Sequence, residues 1–227
     1  MEASNANQST HVHVDGRDVH MLRGEVTFLY AFVFALKPRV IVEIGSLHGG
    51  SARIMAQALI AAGAAPSPKT MFLMDPQPRF TDENRMFLAD RATVIAKGSP
   101  QGFDGIPELT DSIDFAFVDG DHAEDAVRDD IVCVYSRLRS GGYILCHDAH
   151  YHQTKRGIDR AVSETGLIDC GLVSTAAQDN GDLEDGVSVF WGGLRLLRKP
   201  DSSAARPLPE TKPIGVMAAL RRAFGAS

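Results

Sequence analysis

The 227-residue sequence has no apolar run that approaches the roughly 20 residues needed to span a bilayer, so no membrane segment is expected. It also has no block of lysine and arginine, and its net charge is −6. This balance argues against a nucleic-acid partner, since phosphate binding requires clustered cations. The three cysteines lack metal-site spacing, and residues 1–8 lack the order of a signal peptide. These absences favour a cytoplasmic protein with reduced thiols.

What the sequence does contain is an alternation of apolar strand-like and helix-like segments. With 44% hydrophobic and 23% charged residues, the chain can bury the core of one ordinary domain. The pattern predicts an α/β fold, a Rossmann-like, doubly wound and mostly parallel seven-stranded sheet with helices on both faces. The predicted strands are 40–44, 70–75, 92–96, 112–119, 143–147, 172–175 and 187–191, the last two joined by an acidic loop at 178–186.

Composition also divides the chain into three parts. Residues 1–22 are polar and contain three histidines, which predicts a flexible arm or a lid over a site. Residues 23–194 form the predicted domain. Residues 195–227 are richer in proline, serine and basic side chains, and form a predicted tail whose amphipathic segment 214–224 suggests self-association.

The rest of the chain is organised around residues 40–52. A β-branched strand over 40–44 is followed by Gly45 and by the Gly49-Gly50 pair, which permit a tight turn close to a ligand. Ser51 is a suitable N-cap for the next helix. Together these features predict a nucleotide-type site at the carboxyl end of the sheet. Glu43 is a carboxylate inside the predicted buried strand, so it is expected to have a hydrogen-bonding partner.

Polar side chains also follow the other predicted strands, at Asp75, Asp119 and the His147-Asp148 pair. The carboxyl ends of parallel strands share one edge, where ligands bind. Asp75 comes about 30 residues after the glycine turn, where it can accept hydrogen bonds from ribose hydroxyls. Each residue alone has a structural alternative as a turn former or loop residue, but jointly they favour function. The G-x-G-x-x-G pattern of dinucleotide sites is absent.

These motifs carry a family resemblance. The stretch EIGSLHGGS at residues 43–51 resembles the first motif of class I S-adenosylmethionine-dependent methyltransferases, and Asp75 is similar to their ribose-binding acid. The segments FVDGDH at 117–122 and GGYILCHD at 141–148 resemble those of metal-dependent O-methyltransferases. The likeness is greatest to the sugar and macrolide enzymes of the macrocin type, and more distant to catechol O-methyltransferase. It spans about residues 38 to 150.

The resemblance implies a function and a set of site residues. The function is transfer of a methyl group from S-adenosylmethionine to a hydroxyl of a small molecule, such as a sugar, a polyol or a natural product. The implied cofactor-binding residues are Glu43, Gly45, Ser46 and Ser51 at the methionine end, Asp75 at the ribose, Gly98 and Ser99 near the adenine, and Asp119. The implied ligands of a divalent metal, Mg²⁺ or Mn²⁺, are Asp119, His147 and Asp148. His122 is the implied general base, beside Asp119.

Several alternatives remain open at this point. A histidine ligand suits Mn, Fe or Zn better than Mg, and Asp119 with Asp148 could hold the metal while His147 only supports them. His147, His150 and His152 could instead form a zinc site. The chain could also be a metal-dependent hydrolase or hydroxylase-like enzyme, or a protein that binds S-adenosylmethionine without catalysis.

Overall fold

A computed structural model describes residues 12–14, 17–184 and 186–201. The helices are α1 Arg23–Leu36, α2 Gly50–Ala61, α3 Asp82–Leu88, α4 Glu124–Arg137 and α5 His152–Glu164. The strands are β1 Val12–Val14, β2 Arg17–Val19, β3 Ile41–Ile44, β4 Met71–Met74, β5 Thr93–Ile95, β6 Ile113–Val118, β7 Leu138–Cys146, β8 Ile168–Ser174, β9 Gln178–Glu184, β10 Val187–Trp191 and β11 Leu194–Arg198. Two single-turn 3₁₀ helices, Gln101–Phe103 and Pro107–Leu109, lie between β5 and β6.

The central sheet has seven strands in the order β5-β4-β3-β6-β7-β11-β8. The strands from β5 to β7 are mutually parallel, and β11 is antiparallel to both of its neighbours. The strand order reverses beside β3, because the chain moves outward to β4 and β5 and then returns to β6 on the other side. This topology confirms the predicted fold and places the switch point, where ligands bind in such sheets, at the end of β3.

Both faces of the sheet are covered. Alternate side chains of β3 point to opposite faces, so that Ile41 packs in the core under α1 and α2 while Val42 packs in the core under α4 and α5. On β6, Phe115 and Ala116 divide in the same way. The strands therefore read as continuous apolar runs because each face meets helices, as the sequence predicted.

The end of the predicted domain is different from the expectation. The predicted acidic loop at 178–186 and the predicted closing strand at 187–191 instead form a separate antiparallel pair, β9 and β10. The central sheet is closed by β11, which pairs with both β7 and β8. The boundary at residue 194 was therefore wrong, since residues 195–198 belong to the sheet. The turn between β10 and β11 is made by Gly192 and Gly193, both with positive φ.

Smaller corrections concern the ends of elements. The strand predicted over 143–147 begins earlier, at Leu138, directly after α4 ends at Arg137. Gly141, in the left-handed region at φ 74°, interrupts the first half of that strand, which explains why its pattern was not recognised. The N-cap of α2 is Gly49, not Ser51, whose hydroxyl is engaged elsewhere.

Parts of the three predicted segments lie outside the described residues, namely 1–11, 15–16, 185 and 202–227. Within the first segment, β1 and β2 form an antiparallel pair. A lid function for residues 1–22, and a helix in the tail, stay predictions. None of the helices in the described part of the chain combines the length and apolar character that crossing a membrane requires.

Candidate active site

A cavity of about 790 Å³ lies at the carboxyl ends of β3, β4, β6 and β7. Its volume falls in the range of small-molecule and cofactor sites, about 300 to 1,000 Å³. The structure brings almost all of the predicted site residues to its wall. Those that line it are Gly45, Ser46, Ser51, Asp75, Gly98, Ser99, Asp119, His122, His147 and Asp148. Glu43, the exception, lies behind the wall.

Gly45 ends β3 where the neighbouring strand leaves almost no space. A Cβ atom at this position would lie 1.9 Å from the carbonyl oxygen of Asp119, and the residue has a φ of 87°. Both observations require glycine. The sequence suggested a close approach of the glycine backbone to a ligand. At Gly45 the backbone instead lies against the backbone of Asp119, just after the end of β6.

Glu43 has the partner that its buried position requires. The side chain is completely buried, and its Oε1 accepts a short hydrogen bond from the hydroxyl of Ser51. Its Oε2 has no hydrogen-bond partner among the described residues. Burial raises the pKa of Glu43 to about 8, although the Ser51 hydrogen bond opposes this change. Ser51, which lines the cavity, thus connects Glu43 to the ligand space.

Asp75 is fixed in place by two backbone amides. Its Oδ2 accepts from the amide of Leu47 at 2.8 Å, and its Oδ1 accepts from the amide of Gln77 at 2.7 Å. Each carboxylate oxygen has a further lone pair, so Asp75 can still accept hydrogen bonds from a ligand's hydroxyls. The turn after β3 and the turn after β4 are in this way joined at the carboxylate predicted to bind ribose.

One hydroxyl in the cavity wall has no partner. The Oγ atom of Ser46 is buried and lacks a hydrogen-bond partner within the described part of the chain, whereas the buried hydroxyl of Ser99 faces the Asp130 carboxyl. Burying an unpaired hydroxyl is costly, so Ser46 suits a ligand that supplies the partner. On the same side, burial raises the pKa of the cavity-lining Asp130 to about 7. Asp130, on α4, was not predicted from the sequence.

The far side of the cavity carries a group of side chains that could hold a cation. Asp119, His122 and Asp148 offer one ligand atom each, and these atoms lie within 4.8 Å of one another. Nε2 of His122 lies 2.9 Å from Oδ2 of Asp148 and 3.9 Å from Oδ1 of Asp119. It is the one group of this kind among the described residues. Two carboxylates and an imidazole are a donor set that fits a divalent metal such as Mn²⁺.

His147 lies beside this group, and its ring is turned toward protein carboxylates. Its Nδ1 lies 3.0 Å from Oδ1 of Asp119, and its Nε2 lies 3.1 Å from Oε2 of Glu25. Both ring nitrogens therefore face protein carboxylates, which leaves no lone pair directed at a metal. The geometry favours the alternative in which His147 supports the ligands. His150 and His152 form no metal-binding group with His147 in the residues described here.

The charges in this group are strongly coupled. Burial disfavours the charged form of His122, but Asp119 and Asp148 outweigh burial and raise its pKa to about 9. The same balance places the pKa of His147 well above its usual range. For Asp148, burial is outweighed by His122, His147 and the amide of Gly192, so its pKa lies far below the ordinary value.

An aromatic wall stands beside His122. The ring of Trp191 is stacked on that of Tyr151 at a centroid distance of 4.6 Å, and it meets the His122 ring edge-on at 5.3 Å. The hydroxyl of Tyr151 donates to Glu184 on β9, which fixes the wall to the β9–β10 pair. The sequence analysis assigned Trp191 to a strand of the central sheet and therefore did not predict that it lies beside the site.

A comparison with known families gives the site its identity. Residues 42–149, which hold the glycine turn and every strand end described above, match a family model described as a methyltransferase domain. The chain carries a methyltransferase domain. In the central sheet, this domain comprises β3 to β7, and the predicted likeness to class I S-adenosylmethionine-dependent methyltransferases is confirmed. No curated protein sequence matches the chain.

Solved structures agree with this methyltransferase assignment at the level of the fold. The O-methyltransferase from Bacillus cereus in complex with S-adenosylhomocysteine is 18% identical, with a TM-score of 0.55 over 86% of each chain. The O-methyltransferase TomG from Streptomyces achromogenes, in complex with S-adenosylmethionine, is 15% identical, with a TM-score of 0.54 over 82% of this chain and 84% of TomG. The SAH-bound methyltransferase from Podospora anserina is 16% identical, with a TM-score of 0.55 over 79% of each chain. These likenesses show that the chain shares the fold of such methyltransferases.

Proposed function

We propose that this methyltransferase transfers a methyl group from S-adenosylmethionine to a hydroxyl of a small molecule, assisted by a divalent cation. The observation that carries the proposal is the composition of one cavity wall. The residues expected to bind the cofactor, from Gly45 to Ser99, and the candidate cation group at Asp119 and Asp148 line the same space. A methyl donor and an activated oxygen acceptor would therefore meet there.

The cofactor side of the cavity fits the proposed ligand in its polar groups. Asp75, held by two amides, is oriented to accept from ribose hydroxyls. The unpartnered hydroxyl of Ser46 would gain a partner from the methionine end, and Ser99 lines the part of the cavity proposed for the adenine. Because each of these groups is already fixed by the fold, little ordering is needed when the cofactor binds.

On the acceptor side, Asp119 and Asp148 would hold the cation, with Mg²⁺ or Mn²⁺ as candidates. When bound, the ion supplies Lewis-acid polarisation that makes an acceptor hydroxyl easier to deprotonate.

The side chain of His122 is more exposed than those of Asp119, His147 and Asp148. It also faces the aromatic wall formed by Trp191 and Tyr151. Against the opposing effect of burial, the two aspartates raise the pKa of His122 to about 9 when no cation is present, and a cation bound to them would lower it again. We therefore assign His122, in the cation-bound protein, the role of taking the acceptor's proton at Nε2. Trp191 and Tyr151 offer a flat surface for a ring-shaped acceptor.

The test begins with binding. Isothermal titration calorimetry should detect binding of S-adenosylmethionine and of S-adenosylhomocysteine to the wild-type protein. Electron paramagnetic resonance should detect binding of Mn²⁺. His122→Asn should abolish methyl transfer, measured by mass spectrometry against a library of hydroxylated small molecules, while leaving Mn²⁺ affinity intact. A loss of Mn²⁺ affinity in this variant would instead make His122 a ligand. Full activity in the presence of a chelator would remove the cation from the proposal.

Two other functions are separated by the same measurements. A metal-dependent hydrolase or hydroxylase-like enzyme would bind Mn²⁺ and neither cofactor form. A non-catalytic binder would take S-adenosylmethionine and methylate nothing in the library. The unpartnered hydroxyl of Ser46 favours cofactor binding over the first alternative, and the carboxylate pair beside an imidazole favours catalysis over the second.

The acceptor class remains the broadest part of the proposal. TomG, a structural neighbour, is described as involved in tomaymycin synthesis, which supports a natural-product, sugar or polyol acceptor here only by analogy of fold. We also propose a cytoplasmic location, which agrees with the three cysteines being free thiols.

A further inference from the structure

A buried carboxylate on α1 joins three distant parts of the chain. Glu25 is completely buried, with Leu29 and Val33 following it at four-residue intervals on the buried face of α1. Its Oε2 accepts from the backbone amide of Leu22 at 2.8 Å, and its Oε1 accepts from the amide of Gly193 at 2.6 Å. The two contacts connect the start of α1 to the turn between β10 and β11.

A third contact of Glu25 leads into the candidate cation group. Its Oε2 lies 3.1 Å from Nε2 of His147, whose Nδ1 lies 3.0 Å from Oδ1 of Asp119 and 3.3 Å from Oδ2 of Asp148. The His147 ring is 4% exposed, so no solvent competes for either nitrogen. The ring is oriented from both sides, by Glu25 behind it and by the two aspartates in front.

The turn between β10 and β11, made by Gly192 and Gly193, contacts Asp148 directly. The amide of Gly192 donates to Oδ1 of Asp148 at 2.5 Å, next to the amide of Gly193 that donates to Glu25. Gly192 and Gly193 have φ angles of 84° and 85°, which direct both amides inward. One short turn therefore holds Asp148 by an amide and, through Glu25 and His147, contributes to the orientation of Asp119.

We infer that Glu25 is a positioning residue for the candidate cation site. It acts through His147, which fixes the Asp119 carboxylate in the orientation that the cation requires, and thereby makes cation affinity depend on the seating of α1. The inference rests on the proposed function. Groups that orient metal ligands from behind typically change metal affinity by 10- to 100-fold when they are removed.

A purely structural role accounts less well for these contacts. Accepting the Leu22 amide needs only one carboxylate oxygen, and an apolar residue on this face would avoid burying a charge. The carboxylate instead reaches a histidine 122 positions away in the sequence, and it also contributes to the cavity wall. A structural role alone would change stability, whereas positioning would change cation affinity separately from stability.

The test compares three variants of the full chain. Glu25→Gln keeps the size of the side chain and removes the charge that faces His147. Val26→Ala, at the adjacent buried position of α1, lowers stability without touching the network. Glu164→Gln removes a carboxylate that is paired with Arg128 at the end of α5. Thermal unfolding, Mn²⁺ binding to the protein without cofactor, and S-adenosylmethionine binding are measured for each.

We expect Glu25→Gln to weaken Mn²⁺ binding about 10- to 100-fold and to change S-adenosylmethionine affinity by less than about threefold. Val26→Ala and Glu164→Gln should leave Mn²⁺ affinity unchanged. If Glu25→Gln does not fold, Glu25→Asp retains the charge but shortens its reach, and Mn²⁺ affinity should fall about 10-fold. Mn²⁺ affinity equal to that of Val26→Ala in whichever variant folds would overturn the inference. Absence of Mn²⁺ binding in the wild type would overturn the cation in the proposed function, and the inference with it.

Discussion

Two carboxylates lie buried in adjacent parallel strands of the central sheet, one near the amino end of its strand and the other near the carboxyl end. Their surroundings differ. Asp114, near the amino end of β6, accepts from the amides of Arg39 and Val40 at 2.8 and 2.9 Å and from Nε of Arg139. Glu43, near the carboxyl end of β3, has Ser51 as its one hydrogen-bonding partner in the described chain, and its second oxygen has none.

This difference separates stability from function in one sheet. At the amino end, every oxygen of the buried carboxylate is paired, and the group ties the entry of β3 to β6 and β7. At the carboxyl end, polar groups are left partly unpaired beside the cavity, and this incomplete pairing costs folding free energy. The unpaired groups are available to a ligand, as expected where selection for binding opposes stability.

The largest effect is expected at the crowded carboxyl end. Gly45→Ala would place a Cβ 1.9 Å from the Asp119 carbonyl, and should lower the free energy of unfolding by more than about 5 kcal/mol or prevent folding. Gly63→Ala is the matched control, because Gly63 has a similar φ of 78° and no atom within 4 Å of the added Cβ. It should cost about 1–2 kcal/mol. Equal losses in urea denaturation would show that crowding at Gly45 is unimportant.

The second prediction concerns pH. The pKa of Glu43 is raised by burial from 4.5 to about 8, so the folded protein binds a proton that the unfolded chain has released between these values. The stability contributed by the neutral carboxyl is present below pH 4.5 and is lost as the pH rises through about 8, by at most about 5 kcal/mol. Glu43→Gln should therefore raise the free energy of unfolding at pH 9 and hardly change it at pH 4.5.

Denaturation at the two pH values checks this prediction. The control is Asp114→Asn, at the fully paired carboxylate, which should not gain stability at pH 9. A Glu43→Gln variant that is no more stable than the wild type at pH 9 would contradict the view that the incompletely paired Glu43 carboxylate costs folding free energy. At pH 9, where the Glu43 carboxylate is charged, the same variant should bind S-adenosylmethionine more weakly, because Ser51 loses a charged acceptor.

At the amino end the expected effect is smaller and confined to folding. Asp114→Ala leaves two backbone amides and the Arg139 guanidinium without their acceptor, which should cost roughly 3 kcal/mol of unfolding free energy. Its affinity for S-adenosylmethionine should equal that of the wild type, as measured by calorimetry. A loss of cofactor affinity would show that the two ends of the sheet are coupled, and that the separation drawn above is wrong.

The sequence predicted the parts of the site that local pattern determines. Gly45, Asp75, Asp119 and Asp148 each follow a strand that is recognisable from its own residues, and a parallel sheet brings such strand ends to one edge without further information. The mostly parallel sheet and the helices on both faces followed from the same alternation. This is why almost all of the predicted site residues line the cavity.

What could not be predicted depends on contacts between distant segments. Glu25 appears as a charged residue next to an apolar helical stripe, and only the docking of α1 shows that it faces His147. The role of Ser51 as a donor to Glu43, in place of an N-cap, depends on how α2 is rotated. The β9–β10 pair departs from the central sheet because two glycines redirect the chain, and acidic residues on β9 gave it the composition of a loop.

The smallest effect is expected where the carboxyl end is already well paired. Asp75 has an amide donor on each oxygen, so in Asp75→Asn the side-chain nitrogen would face one of these donors, which should lower the free energy of unfolding by about 1–2 kcal/mol. Its affinity for S-adenosylmethionine should fall about 10- to 30-fold, because the amide nitrogen can no longer accept from a ribose hydroxyl, at a cost of about 1–2 kcal/mol. Calorimetry with S-adenosylmethionine and with methionine alone checks the assignment. A ligand without ribose should bind the variant and the wild type equally, and an equal loss for both ligands would place Asp75 away from the ribose.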